Sequence, residues 1–114
     1  MARLMSVALT EDQVRARTKT VTRRVGWRML EVGDRVTLCQ KVMGRRRGEP
    51  LVRIVDVEIV SIDRQLLDTI TAQDVVAQGF PEMTPPEFVA FFCAAHKGCF
   101  PETEVTRIQW RYLA

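Results

Sequence analysis

Between Gln13 and Leu30 the chain carries six positive side chains, Arg15, Arg17, Lys19, Arg23, Arg24 and Arg28, and no negative one. A second cluster follows at Arg45, Arg46 and Arg47. Cations gathered in this way neutralise phosphates or carboxylates, so they favour a polyanionic partner over a neutral one. Within the first cluster, Thr20, Thr22 and Arg24 alternate with Lys19, Val21 and Arg23, as side chains do on a half-buried strand. Any chemistry is expected along this hydroxyl-and-cation segment.

Other residue groups offer weaker chemistry. Cys93, His96 and Cys99 would ligate zinc only if Cys39 or a carboxylate completed the tetrahedron. Cys99 lies past the Gly98 terminator, and structural zinc motifs rarely use this spacing, so buried thiols are expected, with no metal and no cofactor. His96 reads as a helix-end cation or a ligand-edge residue. As the single histidine of the chain it has no Asp or Asn tied to it by a readable motif, which argues against a Ser-His or Cys-His nucleophile pair. Trp27, between Gly26 and Arg28 in a loop, is a candidate for stacking on a base, whereas Trp110 sits in an alternating stretch and reads as core. Phe88, Phe91 and Phe92 read as the core face of a helix.

The elements that must hold these groups follow from periodicity and punctuation. Arg3 to Val7 reads as a strand, and Thr10 as the cap of a short helix running to Arg17 with Gln13 at the capping-box position. Thr18 to Val25 is a second strand. After the Val32-Gly33-Asp34 turn, Arg35 to Val42 alternates as a third. Gly44 to Pro50 is a hairpin loop with three arginines at its tip, followed by the long β-branched run Leu51 to Asp63. Thr71 caps a helix over Ala72 to Gln78 that ends at Gly79. Thr84-Pro85-Pro86-Glu87 starts another, with a capping box and a proline in its first turn. Thr103 to Leu113 alternates as a closing strand. Five or six strands broken by two or three short helices predict an α+β domain, a small mixed β-barrel, spanning residues 1–114.

Bulk properties narrow the function classes. The net charge is +3, divided as +7 over residues 1–57 and −4 over residues 58–114, so the basic character is local. No apolar stretch approaches the roughly 18 residues a bilayer-spanning helix needs, and no leader pattern opens the chain, which predicts a cytoplasmic protein without a membrane partner. Three cysteines, an odd number, fit a reducing compartment better than a disulfide framework.

The run Arg17-Thr18-Lys19-Thr20-Val21-Thr22-Arg23-Arg24, then Val32-Gly33-Asp34-Arg35-Val36, Leu67-Asp68-Thr69-Ile70-Thr71, Gln78-Gly79-Phe80 and Val105-Thr106-Arg107-Ile108-Gln109-Trp110, resembles the ASCH family in its short, Arg-rich form often carried by bacteriophages. The resemblance implies a PUA-like barrel with a basic cleft that binds RNA or a nucleoside or nucleotide. Lys19, Thr20, Thr22, Arg23, Arg24 and Trp27 would line or border it, with Arg45, Arg46 and Arg47 contacting phosphates. One branch of the family hydrolyses the acetyl amide of N4-acetylcytidine with a lysine, a threonine and a glutamate. Lys19 and Thr22 match the first two, and a lysine desolvated among cations can lose its proton and activate a hydroxyl. Residues three apart on a regular strand face opposite sides, so Lys19 must precede the strand or lie on a bulge to meet Thr22; Thr20 is the other hydroxyl available. Gln78 stands where the family often has the glutamate. It can orient a substrate but cannot carry a proton, and Asp74 or Glu82 would have to substitute. A ribonuclease, or a protein that holds an acidic host partner, are the other readings.

Overall fold

The computed structural model describes residues 3–113, with strands β1 (Arg3–Ser6), β2 (Val21–Arg24), β3 (Arg35–Cys39), β4 (Arg53–Leu66) and β5 (Glu104–Tyr112), and helices α1 (Glu11–Arg15), α2 (Ala72–Ala77) and α3 (Pro85–Ala95). The strands form one mixed sheet in the order β1-β3-β4-β5-β2, with β1 parallel to β3 and every other pair antiparallel. Five strands and three helices match the α+β architecture that the periodicity predicts. The barrel is a curled half-barrel, because among the described residues no backbone hydrogen bond joins edge strands β1 and β2.

Strand β4 explains the curl. It pairs with β3 along its first part and with β5 along most of its length, and its register to β5 shifts between Ile59 and Ser61. The extra residue, Val60, is left exposed, and such a bulge bends the strand and sharpens its twist. Two apolar clusters result. Met5, Val36, Leu38, Val57, Ile59, Ile108 and Trp110 fill the inside of the sheet, and Val7 and Val14 seal it. Leu67, Val75, Phe80, Phe88, Phe92 and Val105 form a second cluster under α2 and α3.

Helix α3 begins as its sequence dictates. Thr84 Oγ1 accepts from the Glu87 amide at 3.3 Å, and the Glu87 carboxylate accepts from the Thr84 amide at 2.9 Å. Pro85 and Pro86 stand in the first turn, where a missing N–H leaves no bond unmade. Helix α2 is capped by Thr71, whose side chain accepts from the Asp74 amide. Helix α1 is shorter than its pattern predicts. Arg17 takes a left-handed conformation (φ 60°), and the Thr18 and Lys19 amides both turn back to the Gln13 carbonyl. That reversal sets where Lys19 begins. No helix among the described residues is long and apolar enough to cross a membrane.

Candidate functional site

Lys19 is fixed through its backbone before its side chain is considered. The Thr20 amide donates to the Ala77 carbonyl at 2.9 Å, tying the segment to the end of α2. The Lys19 carbonyl accepts from Trp110 Nε1 at 3.2 Å and from the Tyr112 hydroxyl. Trp110 is therefore a core anchor that aims Lys19. Lys19 precedes β2, which starts at Val21, and this lets its side chain share a side with Thr22 despite the three-residue spacing.

The two residues line one cavity of about 200 Å3, together with Arg23, Arg24 and Gln78. It lies between the two apolar clusters, at the seam between β1 and β2. Ser6 to Thr10 form one rim, and Phe80 with three rings of α3, Phe88, Phe91 and Phe92, form an apolar wall. Gly79 (φ 104°) lets the chain turn sharply between Gln78 and Phe80. Its carbonyl accepts from Gln13 Nε2 at 3.1 Å, so α1 braces the turn.

Among the described residues no carboxylate lines this cavity. Lys19 is only 2% exposed, and its Nζ donates at 2.8 Å to the Gln78 main-chain carbonyl. Burial, and secondarily the charges of Arg24 and Arg23, hold its ammonium well below the usual lysine range, which favours the neutral amine. Arg24 donates to the Ser6 carbonyl at 2.6 Å and to Thr22 Oγ1 at 3.3 Å, and has no acidic partner among the described residues. Burial lowers it to about 10. Arg23 is 3% exposed and bonds outward to Gln65 at 3.0 Å and to Asp74 at 2.8 Å; its Nε is buried without a partner.

Asp74 occupies a different place from that of a substitute acid in the cavity. It receives Arg107 through two bonds (2.6 and 3.0 Å) and Arg23 through one, and it does not line the cavity. Arg107 first, and Arg23 after it, outweigh the opposing effect of burial and hold its carboxyl down to about 2, so it is ionised at any ordinary pH. Asp74 in turn raises Arg107, while at Arg23 burial wins and the net direction is down. Glu82 is exposed on the turn before α3. Gln78 is 3% exposed, with Oε1 at 3.5 Å from Arg23.

The remaining sequence candidates are spread out. Thr20 is half-buried beside the cavity's lining residues, and Trp27 packs against the sheet core in a left-handed conformation (φ 55°); neither lines the cavity. Arg45, Arg46 and Arg47 are exposed in the loop that leaves β3 at the same end of the sheet as Ser6, since Ser6 pairs with Cys39. The rings of α3 are the residues that sequence reasoning did not place at the site, whereas His96 takes the ligand-edge place that was one of its two readings. His96 lines the cavity, stacks on Phe92 (4.0 Å between centroids, 14° between planes), and bonds the Phe92 carbonyl through Nδ1 at 2.9 Å. The available signal was the spacing 88, 92, 96, which sets two rings and the imidazole on one helical face. Among the described residues no group of three His, Cys, Asp or Glu side chains could hold a metal.

No family model matches the sequence, and no curated protein does. Two solved structures match its shape. A protein of Enterococcus faecalis V583, of the family DUF984, superposes with a TM-score of 0.67 at 8% identity, over 99% of this chain and 77% of that one. An ASCH domain of Lactobacillus crispatus JV V101 superposes with a TM-score of 0.57 at 12% identity, over 91% and 70%. With identities this low the likeness is one of fold, and the chain has the ASCH-type, PUA-like fold.

Proposed function

We propose that the cavity binds a nucleotide, or one nucleotide of a single-stranded RNA, with the base against the phenylalanine wall and the anionic group at Arg24. The observation that carries this reading is Arg24, which lines the cavity without an acidic partner among the described residues, while Arg23 is matched by Asp74 and burial favours neutral Lys19. A guanidinium left without a counter-charge in a partly dry site gains most from an anion brought by a ligand. Aromatic rings beside it suit a base, which offers a π-face whatever its identity. The fold shared with an ASCH domain is compatible with this use but does not carry it.

The test is a titration of cytidine 5′-monophosphate, cytidine and a short single-stranded RNA into the protein at several salt concentrations. Affinity should favour the phosphorylated ligands and fall with salt, and Arg24→Gln should weaken them about tenfold or more while leaving cytidine little changed. Equal affinity of wild type and Arg24→Gln for the monophosphate would sink the reading, and silence toward every nucleic-acid ligand would turn attention to an acidic protein partner.

Amide hydrolysis on an acylated cytidine is a second reading, favoured by Lys19 and Thr22 lining the same cavity. An amine whose burial favours the neutral form can take the proton of a threonine hydroxyl as that oxygen attacks a carbonyl. Gln78 cannot carry a proton, so no carboxylic acid supports the protonated Lys19 in returning the proton to the leaving amine. Gln78→Glu should therefore create or raise turnover of N4-acetylcytidine, and no gain would mean that the cavity is not arranged for this reaction.

A further inference from the structure

We propose that Cys93 and Cys99 form a thiol–disulfide pair whose oxidation repositions His96 in the wall of the cation-lined cavity. Three observations meet at the end of α3. The two sulfurs stand 3.9 Å apart and both cysteines are free thiols, with Cys93 directed at Cys99. The backbone between them is folded back on itself: the His96 amide donates to the Cys93 carbonyl, the Cys99 amide to the His96 carbonyl, and Gly98 supplies the reversal with φ 80°. A disulfide needs the sulfurs at about 2.05 Å, so closure takes up about 2 Å through side-chain rotation and a small adjustment of this turn.

Helix α3 separates two concavities. Its Phe88, Phe91 and Phe92 face the cation-lined cavity, while Val89, Ala90 and Cys93 line a groove of about 430 Å3 with Pro85, Pro86 and Pro101. The groove gives a small oxidant a path to Cys93 that does not cross the ligand cavity. His96 lies between the two thiols in sequence and belongs to the other side. A carbonyl oxygen can only accept, so Nδ1 carries the proton in its bond to Phe92, and Nε2 remains for a ligand. Drawing Cys99 toward Cys93 pulls on the turn that holds this ring.

In the reaction two S–H bonds break and one S–S bond forms. Two electrons and two protons pass to a low-molecular-weight disulfide such as oxidised glutathione, which leaves as two thiols. The effect on ligand binding rests on the reading of the cavity given above, whereas the thiol chemistry does not.

The experiment treats the full-length protein with oxidised glutathione under native conditions and follows it by intact mass, peptide mapping and NMR. The single histidine of the chain makes its imidazole signals unambiguous. Expected are a mass lower by two hydrogens, one peptide joining Cys93 to Cys99, Cys39 still open to alkylation after denaturation, and imidazole resonances that move on oxidation and return with dithiothreitol. The near-isosteric C93S/C99S variant should show neither change. Glutathione adducts without the internal bond, or the bond with unmoved imidazole resonances, would overturn the proposal. Cytidine 5′-monophosphate titrated into both redox forms separates this from the ligand reading. Binding by neither form counts against the nucleotide, while mass and NMR still decide for or against the thiol pair; equal binding by both forms counts against a repositioned His96.

Discussion

Lys19 combines burial, cationic neighbours and a single main-chain acceptor, and this combination has a thermodynamic signature. A lysine whose folded value is lowered binds its proton more weakly in the folded chain than in the unfolded one. Its burden on stability is therefore greatest below the folded value, and stability rises with pH through the window from there to the ordinary 10.5. Lys19→Met should flatten this rise in urea-unfolding free energies measured from pH 6 to 10; a slope equal to that of wild type would mean that the ammonium is tolerated where it lies. Asp74 behaves oppositely. With its folded value near 2 against an ordinary 3.8, its contribution is complete above about 4 and is lost as pH falls through about 2. Asp74→Asn leaves Arg23 buried without its counter-charge. It should cost on the order of 2 kcal/mol at neutral pH, the low side for breaking a buried pair because asparagine keeps an acceptor, and it should flatten the acid limb of the stability curve. At this scale the sequence was readable where charge and hydroxyls cluster, as at Lys19 and Thr22. It was unreadable for Asp74, whose partner Arg107 is 33 residues away and on a strand, so that no local pattern joins them.

Among the elements, the capped helices were legible because their signals are local: Thr84 with Glu87, and Thr71 before α2, act over three residues. The shift opposite Val60 was not, since a bulge is decided by which residues of β5 sit across from β4. The same distinction explains the phenylalanines. Their spacing announced a buried face, but whether that face meets a core or a cavity depends on what lies opposite, and here it meets both. Thr84→Ala removes half of the capping box that starts this wall and should lower stability by about 1 kcal/mol in chemical denaturation. Gly79→Ala is more severe. An added Cβ would stand 2.9 Å from Gln13 Cγ at a backbone angle that side chains avoid, so about 1–3 kcal/mol of destabilisation is expected, with weakened ligand binding as Gln78 and Lys19 lose their brace. A variant as stable as wild type would show that α1 yields freely.

For the molecule as a whole, the charge along the sequence is uneven, +7 over residues 1–57 against −4 over residues 58–114. Both basic clusters belong to the N-terminal half, and the arginine loop leaves the sheet at the end where Ser6 to Thr10 rim the cavity. Replacing Arg45, Arg46 and Arg47 together by glutamine should weaken a longer RNA more than a mononucleotide and reduce the dependence of log affinity on log salt by up to about 2. Identical losses for both ligands would place the loop outside the contact. The overall architecture could be anticipated from alternating strands and short helices, but the unclosed seam could not, because closure depends on the summed twist of five strands.

That seam bears on speed. Arg24 spans it with one side-chain hydrogen bond to Ser6, where a closed barrel would have a row of backbone bonds. A ligand that draws the guanidinium to itself asks for the rotation of one side chain, and no strand has to separate from another on the far slower scale of local unfolding. Capture should thus be ungated: one kinetic phase, first order in ligand at all accessible concentrations, with an association rate governed by ionic strength and insensitive to conditions that merely loosen the sheet.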